Sequence, residues 1–250
     1  MRHRSKLILW LAAGFTLSAS LAVAQPRWTV DFENGAAITT RNDVRIPGDT
    51  GTLFSLTDDL RTNTAYFWRV RVDFRLTRKH VLSALAAPLT LNASGTINTP
   101  VSFNGEVFPA GVPLTAGYQF NSYRLTWRYE FVQGPKWTFG LGFTAKVRDA
   151  YTRLAGGGVS STKTNVGFVP LVNFKLQRTV TDRVALLVEG DALGSTQGRA
   201  EDILAGVQVR LGRNVSVKAG YRLLEGGADV DEVYTFTFLH YVAVGASIRF

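Results

Sequence analysis

The sequence has no cysteine and few histidines. Of its 250 residues none is Cys and three are His. The absence of thiols excludes a disulfide framework, a cysteine-ligated zinc site, a thiol nucleophile and a lipid anchor attached to cysteine. Beyond the N-terminal segment only His80 and His240 remain. We therefore expect no metal site and no cofactor.

Long hydrophobic runs are also missing. A basic head precedes an apolar stretch at 7–13, and the small residues Ala22 and Ala24 form a cleavage site. Gly, Thr and Ser interrupt the apolar stretch well short of the ~20 residues that a membrane-spanning helix needs. No later stretch has ~18 consecutive apolar residues, which excludes helical spans. We predict a Sec-type secretory signal peptide at 1–24, cut after Ala24, and one domain at 25–250.

The charge is basic. Three of the 28 Lys and Arg residues and none of the 19 acidic residues lie in the predicted signal, so the remaining chain carries a formal net charge of +6. A basic exported protein can contact anionic lipid, lipopolysaccharide phosphate or an anionic solute. Nucleic acid is not an expected partner outside the cytoplasm.

A strict alternation of apolar and polar residues runs through the rest of the chain. It is clearest in "YFWRVRVDFRL" (66–76) and "YRLTWRYEF" (123–131). In a β-strand, alternate side chains point to opposite faces. Each alternating segment is long enough for the ~9–11 residues with which a tilted strand crosses a bilayer. The ten segments lie at 26–37, 63–77, 81–93, 116–131, 136–149, 165–177, 183–193, 200–211, 214–224 and 233–250.

The connections between these segments alternate in length in the first half of the chain. About 25 residues join the first two segments, about 22 join the third and fourth, and about 15 join the fifth and sixth, whereas the intervening turns are short. Short turns at one end and longer loops at the other are typical of outer-membrane barrels. We predict an all-β fold, a closed antiparallel transmembrane β-barrel of ten strands, with eight strands as the alternative.

The position of the charges separates a barrel from a soluble β-sandwich. A sandwich hides its apolar face, and lone arginines in its dry core would be too costly. In the barrel, Arg69, Arg71 and Arg75 point to a polar lumen, which avoids up to ~2–4 kcal/mol for each one near the lipid midplane. Pro88 and Pro170 fall inside predicted strands, although proline cannot donate to a strand ladder. We expect bulges or strand ends at both prolines.

The chain ends "YVAVGASIRF". By the alternation, Ile248 and Phe250 face lipid, whereas Tyr241 and Gly245 face the lumen. These four residues resemble the C-terminal sorting signal of bacterial outer-membrane β-barrels, in which the barrel-assembly machinery recognises a last strand that ends on an aromatic residue. The whole predicted domain resembles the small barrels of the OmpA/OmpX/OmpW type. The resemblance implies a location in the outer membrane and contact with its lipid and lipopolysaccharide.

The predicted lumen face carries eleven basic and seven acidic side chains. One interpretation is a salt-bridge network that fills the barrel, because small barrels have room for little besides side chains. The other is a narrow anion-preferring pore whose basic excess sets selectivity. Close pairing of the bases favours the network, and an unpaired basic stripe favours the pore. The lumen residues are Asp31, Glu33, Arg69, Arg71, Asp73, Arg75, Arg124, Arg128, Glu130, Lys146, Arg148, Lys175, Glu189, Asp191, Asp202, Arg210, Lys218 and Arg222.

The two histidines do not have the spacing of known barrel enzymes. His80 falls in a predicted periplasmic turn and His240 on the lipid-facing register. Neither begins the His-x-Ser pair of barrel phospholipases and lipid A deacylases, and neither has an Asp two residues away, as expected from the Asp-His pair of omptin proteases. We predict a non-enzymatic barrel with a structural or surface-interaction role, and a small channel as the alternative.

Two of the outer loops, the first and the last, are expected to be solvated. The first, "RNDVRIPGDTGT" (41–52), contains turn formers, and Arg41, Arg45 and Arg61 suit contact with lipopolysaccharide phosphates. "AGGGVSSTKT" (155–164) predicts a flexible loop tip. Aromatic side chains are expected at both membrane interfaces. The inner belt is Trp28, Phe131, Trp137, Phe174 and Phe250, and the outer belt is Tyr66, Trp68, Tyr118, Phe120, Phe168, Tyr234 and Phe236.

Overall fold

The computed structural model describes residues 27–196 and 198–250. The predicted signal peptide, with Ala22 and Ala24, lies outside the described residues. In the described ranges no helix is long and apolar enough to cross a membrane. The strands are Trp28–Arg45 (β1), Phe54–Ser55 (β2), Arg61–Thr62 (β3), Ala65–Arg75 (β4), His80–Ala87 (β5), Thr90–Thr96 (β6), Val101–Phe103 (β7), Glu106–Phe108 (β8), Pro113–Gln133 (β9), Trp137–Gly156 (β10), Val159–Thr179 (β11), Val184–Ser195 (β12), Gly198–Arg210 (β13), Val215–Val230 (β14) and Val233–Arg249 (β15).

Ten antiparallel wall strands close into one barrel. β5 and β6 together form one wall strand, and β1, β4 and β9 to β15 are the other nine. Each wall strand pairs with its neighbour in the chain, and β15 pairs back onto β1 from Thr29↔Arg249 to Arg45↔Tyr234. The predicted fold is therefore confirmed, with ten strands rather than eight.

The faces of the wall are reversed relative to a soluble protein. Along β9, Tyr123, Leu125 and Trp127 are 45%, 62% and 39% exposed, whereas Arg124 and Arg128 are 5% and 3% exposed. An outward apolar band and a polar interior are what a lipid surrounding requires of a barrel. The observed register of this strand is the predicted one.

The first and last described strands begin and end at one end of the barrel. The Trp28 N–H donates to the Phe250 carbonyl oxygen at 2.9 Å, and the Phe250 N–H donates to that of Trp28 at 3.0 Å. The turns at this end, which follow β4, β9, β11 and β13, have three or four residues each. In outer-membrane barrels the end with short turns faces the periplasm.

The two prolines occupy places where a ladder partner is missing. β11 pairs with β12 only from Val172↔Ala192 to Thr179↔Ala185, so Pro170 lies on a free strand edge. Pro88 lies in the break between β5 and β6, next to the point where β4 and β5 begin to pair at Val70↔Ala86. Neither position needs the N–H group that proline lacks.

The predicted flexible tip at 155–164 is wrong. β10 continues to Gly156 and β11 begins at Val159, which leaves a two-residue turn. The φ angles of Gly157 and Gly158 are +60° and +80°. Two successive positive φ angles are what the tightest hairpins require, and glycine adopts them without strain. β9, β10 and β11 therefore extend past the outer end of the shorter hairpin of β12 and β13.

The first outer loop is not solvated, in contrast to the expectation, and the second is not solvated either. β2 pairs with β1, β3 pairs with β6, and β7 and β8 form a separate hairpin. The loops bring apolar side chains over the barrel mouth, where they pack on lumen-facing leucines of the wall. We call this group the apolar cap: Ile46, Phe54, Leu56, Leu60, Leu91, Val101, Phe103, Phe108, Leu114, Leu154 and Leu239, each at most 3% exposed.

Tyr118 and Phe120 do not belong to the outer aromatic belt. Tyr118 is buried in the lumen, and its hydroxyl lies 2.9 Å from the Thr237 hydroxyl. Phe120 also faces inward, with the Lys146 ammonium 4.6 Å from its ring centroid. The alternation of β9 explains the error, because both residues share the parity of the lumen-facing Arg124.

Candidate functional site

The predicted lumen residues meet inside the barrel, below the apolar cap. Eight of the eleven bases have a carboxylate oxygen within 4.0 Å. By the criterion stated above, this close pairing favours a filled network over an open basic stripe.

Asp202 is the centre of the network. Its Oδ2 accepts hydrogen bonds from Arg69 Nη2 at 2.9 Å and from Arg124 Nη2 at 2.5 Å. Its Oδ1 accepts one from Arg222 Nη1 at 2.5 Å. The four side chains come from four different strands and are almost completely buried. A carboxylate held by three guanidinium groups satisfies the need of each buried charge for a partner.

Two further carboxylates extend the network across the lumen. Glu33 receives a two-pronged contact from Arg222, with Nε and Nη2 at 2.7 and 2.9 Å from its two oxygens. Asp191 accepts from Arg124 Nη1 at 2.6 Å and from the Thr144 hydroxyl at 2.6 Å. The bonds tie opposite walls together, so the centre of the lumen is packed with side chains.

A second layer of ion pairs lies toward the periplasm. Arg71 Nη1 is 2.9 Å from Glu189 Oε1, and Lys218 Nζ is 2.7 Å from Asp31 Oδ1. Lys175 is a weaker partner of Glu189, at 4.0 Å. Glu130 is bound by Arg75 at 2.9 Å and by Arg128 at 3.3 Å.

Three predicted lumen bases have no carboxylate partner among the described residues. Lys146 lies over the Phe120 ring, and Arg148 Nη2 donates to Asn165 Oδ1 at 2.5 Å. Arg210 donates to the Asp182 carbonyl oxygen near the periplasmic end. Lys146 and Arg148 are neighbours on one face of β10, whereas Arg210 lies near the periplasmic end, so the three do not form a continuous stripe along the lumen.

The lumen opens at its periplasmic end into a polar cavity of about 580 Å³, which we call the vestibule. Its floor contains Arg71, Glu189 and Lys218, and its rim contains Arg27, Arg75, Arg78 and Arg249. At the opposite end, the apolar cap fills the mouth. The lumen is therefore blocked by the ion network in the middle and by apolar packing above.

The sequence contains a signal for the apolar cap that its apolar–polar alternation does not reveal. The stretch "VSFNGEVF" (101–108) places Asn104-Gly105 between two apolar runs, which is the strongest short-range hairpin signal. Asn104 and Gly105 have φ angles of +49° and +85°. Phe103 and Phe108 on the two arms are fully buried. A hairpin with buried aromatic residues is not a solvated loop.

The residues of the predicted assembly signal occupy two faces of β15. Tyr241 is buried in the lumen, with its ring centroid 4.7 Å from that of Phe67. A Cβ atom at Gly245 would lie 2.5 Å from the Phe32 carbonyl oxygen, so only glycine fits at this crossing. Ile248 and Phe250 are 51% and 62% exposed on the outer face. Recognition by the assembly machinery stays a prediction.

Both described histidines lie on the outer surface of the barrel. His80 Nδ1 accepts from the Trp127 indole N–H at 3.2 Å. His240 Nε2 is 2.9 Å from the Thr40 hydroxyl, and its Nδ1 contacts the Tyr221 hydroxyl. In the part of the chain that the structure describes, no carboxylate bonds to either imidazole, and no three metal-ligating side chains come together.

Comparison with known proteins finds similarity in fold alone. No family model and no curated protein matches the sequence. Among solved structures, the outer membrane protease OmpT of Escherichia coli has a TM-score of 0.57 at 9% identity, over 90% of this chain and 97% of OmpT. OprG of Pseudomonas aeruginosa has a TM-score of 0.41 at 12% identity, over 90% of this chain and 97% of OprG. Ail of Yersinia pestis has a TM-score of 0.39 at 11% identity, over 90% of this chain and 99% of Ail.

The closed ten-strand wall, the outward apolar band and the likeness to OmpT define the class of the protein. The chain has the fold of the small bacterial outer-membrane β-barrels. The low sequence identities carry no activity from these proteins to this chain.

Proposed function

We propose that the chain is a non-enzymatic outer-membrane barrel with a structural and surface-interaction role. The observation that carries the proposal is the double block of the lumen. Asp202 and its three arginines cross the centre, and the apolar cap closes the outer mouth. Such a barrel is a rigid anchor, and its contacts with other molecules are made by its two ends and its outer wall.

The second candidate function is a narrow channel for small anions. The vestibule, which has more bases than acids among its lining residues, supports this alternative. An anion would then have to pass the central ion pairs and displace the apolar cap. The first function needs no such rearrangement, and we prefer it for that reason.

An enzymatic role has the least support. OmpT is a protease, but the likeness to it extends only to the fold. His80 and His240 point away from the lumen and have aromatic or hydroxyl neighbours rather than carboxylates. General-base catalysis needs an oriented imidazole next to a nucleophile and an orienting group, and no such set includes either histidine in the described ranges.

We further propose that lipopolysaccharide contacts the outer wall near the extracellular end. The guanidinium of Arg41 lies 5.3 Å from the Phe236 ring centroid, that of Arg45 5.0 Å from the Tyr234 ring, and that of Arg199 6.0 Å from the Phe236 ring. Guanidinium groups held on an aromatic wall suit phosphate. Export by the Sec pathway and insertion by the barrel-assembly machinery complete the proposed route, and an extracellular ligand of the long loops is a further proposed partner.

The test of the proposed function is single-channel conductance. The refolded barrel, shown to be folded by a gel mobility that changes on heating, is placed in a planar lipid bilayer. We expect no discrete current steps at moderate voltage, because the lumen is packed in two layers. Regular, anion-selective steps from the folded protein would contradict the proposal and establish the channel instead.

A further inference from the structure

The vestibule is a pocket with one opening. It holds about 580 Å³, which is within the range of roughly 300–1,000 Å³ that small-molecule sites occupy. Its upper limit is the central ion network, and its mouth is the ring of short turns and terminal residues at the periplasmic end. A molecule in the vestibule is thus reached from the periplasm alone.

The charge of the vestibule is unbalanced. Eight basic and four acidic residues line it, an excess of four positive charges. Three of the acids already have basic partners: Asp31 with Lys218, Glu189 with Arg71, and Glu130 with Arg75 and Arg128. The fourth acid, Asp73, has one buried oxygen without a hydrogen-bond partner.

Three arginines at the mouth have no carboxylate within ion-pair distance in the described part of the chain. They are Arg27, Arg78 and Arg249. The backbones of two of them are fixed: the Arg27 carbonyl oxygen accepts from the Arg75 N–H at 2.8 Å, and the Arg249 N–H donates to the Asn214 carbonyl oxygen at 2.8 Å. These backbone hydrogen bonds hold the Cα atoms of Arg27 and Arg249 at the mouth, and the exposed guanidinium groups can turn toward a ligand there.

Arg27 and Arg249 face the lumen rather than the lipid. Trp28, which follows Arg27, is 44% exposed on the outer wall, and Phe250, which follows Arg249, is 62% exposed there. Because successive side chains of a strand alternate between faces, the two arginines point inward. Both arginines also line the vestibule directly. Because β1 and β15 are adjacent, the two guanidinium groups lie on one side of the mouth.

We propose that the vestibule binds a small polyanion that carries phosphate groups. Planar guanidinium groups match the oxygens of phosphate, and a positive cavity with low-dielectric walls concentrates anions. The phosphate belongs either to a soluble periplasmic compound or to a lipid headgroup of the inner leaflet. The site goes beyond the proposed structural role, and it is tested by binding rather than by current, so either proposal can fail alone.

The experiment is titration calorimetry of the refolded barrel with inorganic pyrophosphate in zwitterionic detergent at low salt. The test variant is Arg27→Gln/Arg249→Gln, and the matched control is Arg61→Gln/Arg153→Gln. The control removes the same charge from two exposed arginines at the extracellular end. Both variants must show the heat-dependent gel mobility of the wild type before they are titrated.

We expect saturable binding by the wild type and the control. The test variant should bind roughly tenfold to a hundredfold more weakly, the range for lost hydrogen bonds to charged groups. Absence of saturable binding by the wild type would overturn the proposal, and so would an equal loss in both variants.

A second arm identifies the source of the phosphate. The wild type is placed in nanodiscs of phosphatidylcholine with or without phosphatidylglycerol, and pyrophosphate is titrated again. Competition by the anionic lipid supports a headgroup in the vestibule, and unchanged affinity supports a soluble ligand. If pyrophosphate does not bind in either kind of nanodisc, the site is refuted.

Discussion

At the scale of single residues, the interior depends on Asp202. This carboxylate joins Arg69, Arg124 and Arg222. Arg124 and Arg222 also have Asp191 and Glu33 as partners, whereas Asp202 is the one carboxylate that pairs with Arg69 among the described residues. Alternation alone predicted that Asp202 and the three arginines face the lumen. Their meeting could not be predicted, because it depends on reach across the barrel between strands far apart in sequence.

Replacing Asp202 by Asn should lower the free energy of unfolding by about 3–5 kcal/mol, because a broken buried ion pair leaves uncompensated charge. The measurement is denaturant unfolding in detergent, followed by tryptophan fluorescence. Glu201→Gln is the control, since it removes the same charge one residue away on the outer face, and little change is expected. Equal stability of the Asp202→Asn barrel and the wild type would show that the network does not hold the lumen together.

At the scale of elements, the sequence predicted the wall well and the loops poorly. Ten alternating segments correspond to the ten wall strands, because lipid on one side and charge on the other impose a strict period of two. Pro88 lies at the expected strand end, whereas Pro170 lies inside β11 without the expected bulge or strand end, on an edge that β12 does not reach. The turn residues of the first loop predict a solvated segment, but Phe54 of that loop is buried in the apolar cap together with Phe103 of the second loop.

The apolar cap should open when one of its central rings is removed. Phe103 is fully buried and lies 6.0 Å from the Phe54 ring and 6.5 Å from the Phe108 ring. Phe103→Ala should cost about 3–5 kcal/mol of local packing and loosen the backbone around Arg61, whose side chain is already exposed. Limited trypsin digestion of the folded barrel should then cleave after Arg61 faster than in the wild type.

The control for this prediction is Val107→Ala. Val107 belongs to the same hairpin but is 61% exposed, so its loss removes little packing. The trypsin cleavage rate of this variant should stay near that of the wild type. Cleavage that is equally slow in the Phe103→Ala and wild-type barrels would mean that the cap does not depend on its aromatic cluster.

At the scale of the whole molecule, the barrel is completed at the seam between β1 and β15. The last contact of the seam is made by the backbone of Phe250, whose ring lies outside on the lipid-facing wall. Closure of the wall therefore does not use the ring itself. The exposed ring remains available for recognition before the barrel is complete.

Replacing Phe250 by Ala should therefore separate assembly in the cell from stability of the product. We expect less folded barrel in the outer membrane, measured by the heat-dependent gel shift of membrane fractions, while protein refolded from urea should behave as the wild type. Phe131→Ala is the control, an outward aromatic near the same end that is 40% exposed. If Phe250→Ala accumulates in the membrane at the level of this control, Phe250 is not an assembly signal.

The packed side chains above the vestibule also determine where the potential across the outer membrane falls. In an open pore, voltage falls along the whole aqueous path, and a bound ion is driven by it. Here the packed network and the apolar cap form the insulating layer, so the water in the vestibule shares the potential of the periplasm. Occupancy of the vestibule should follow periplasmic concentration and ionic strength, and it should not respond to the potential across the outer membrane.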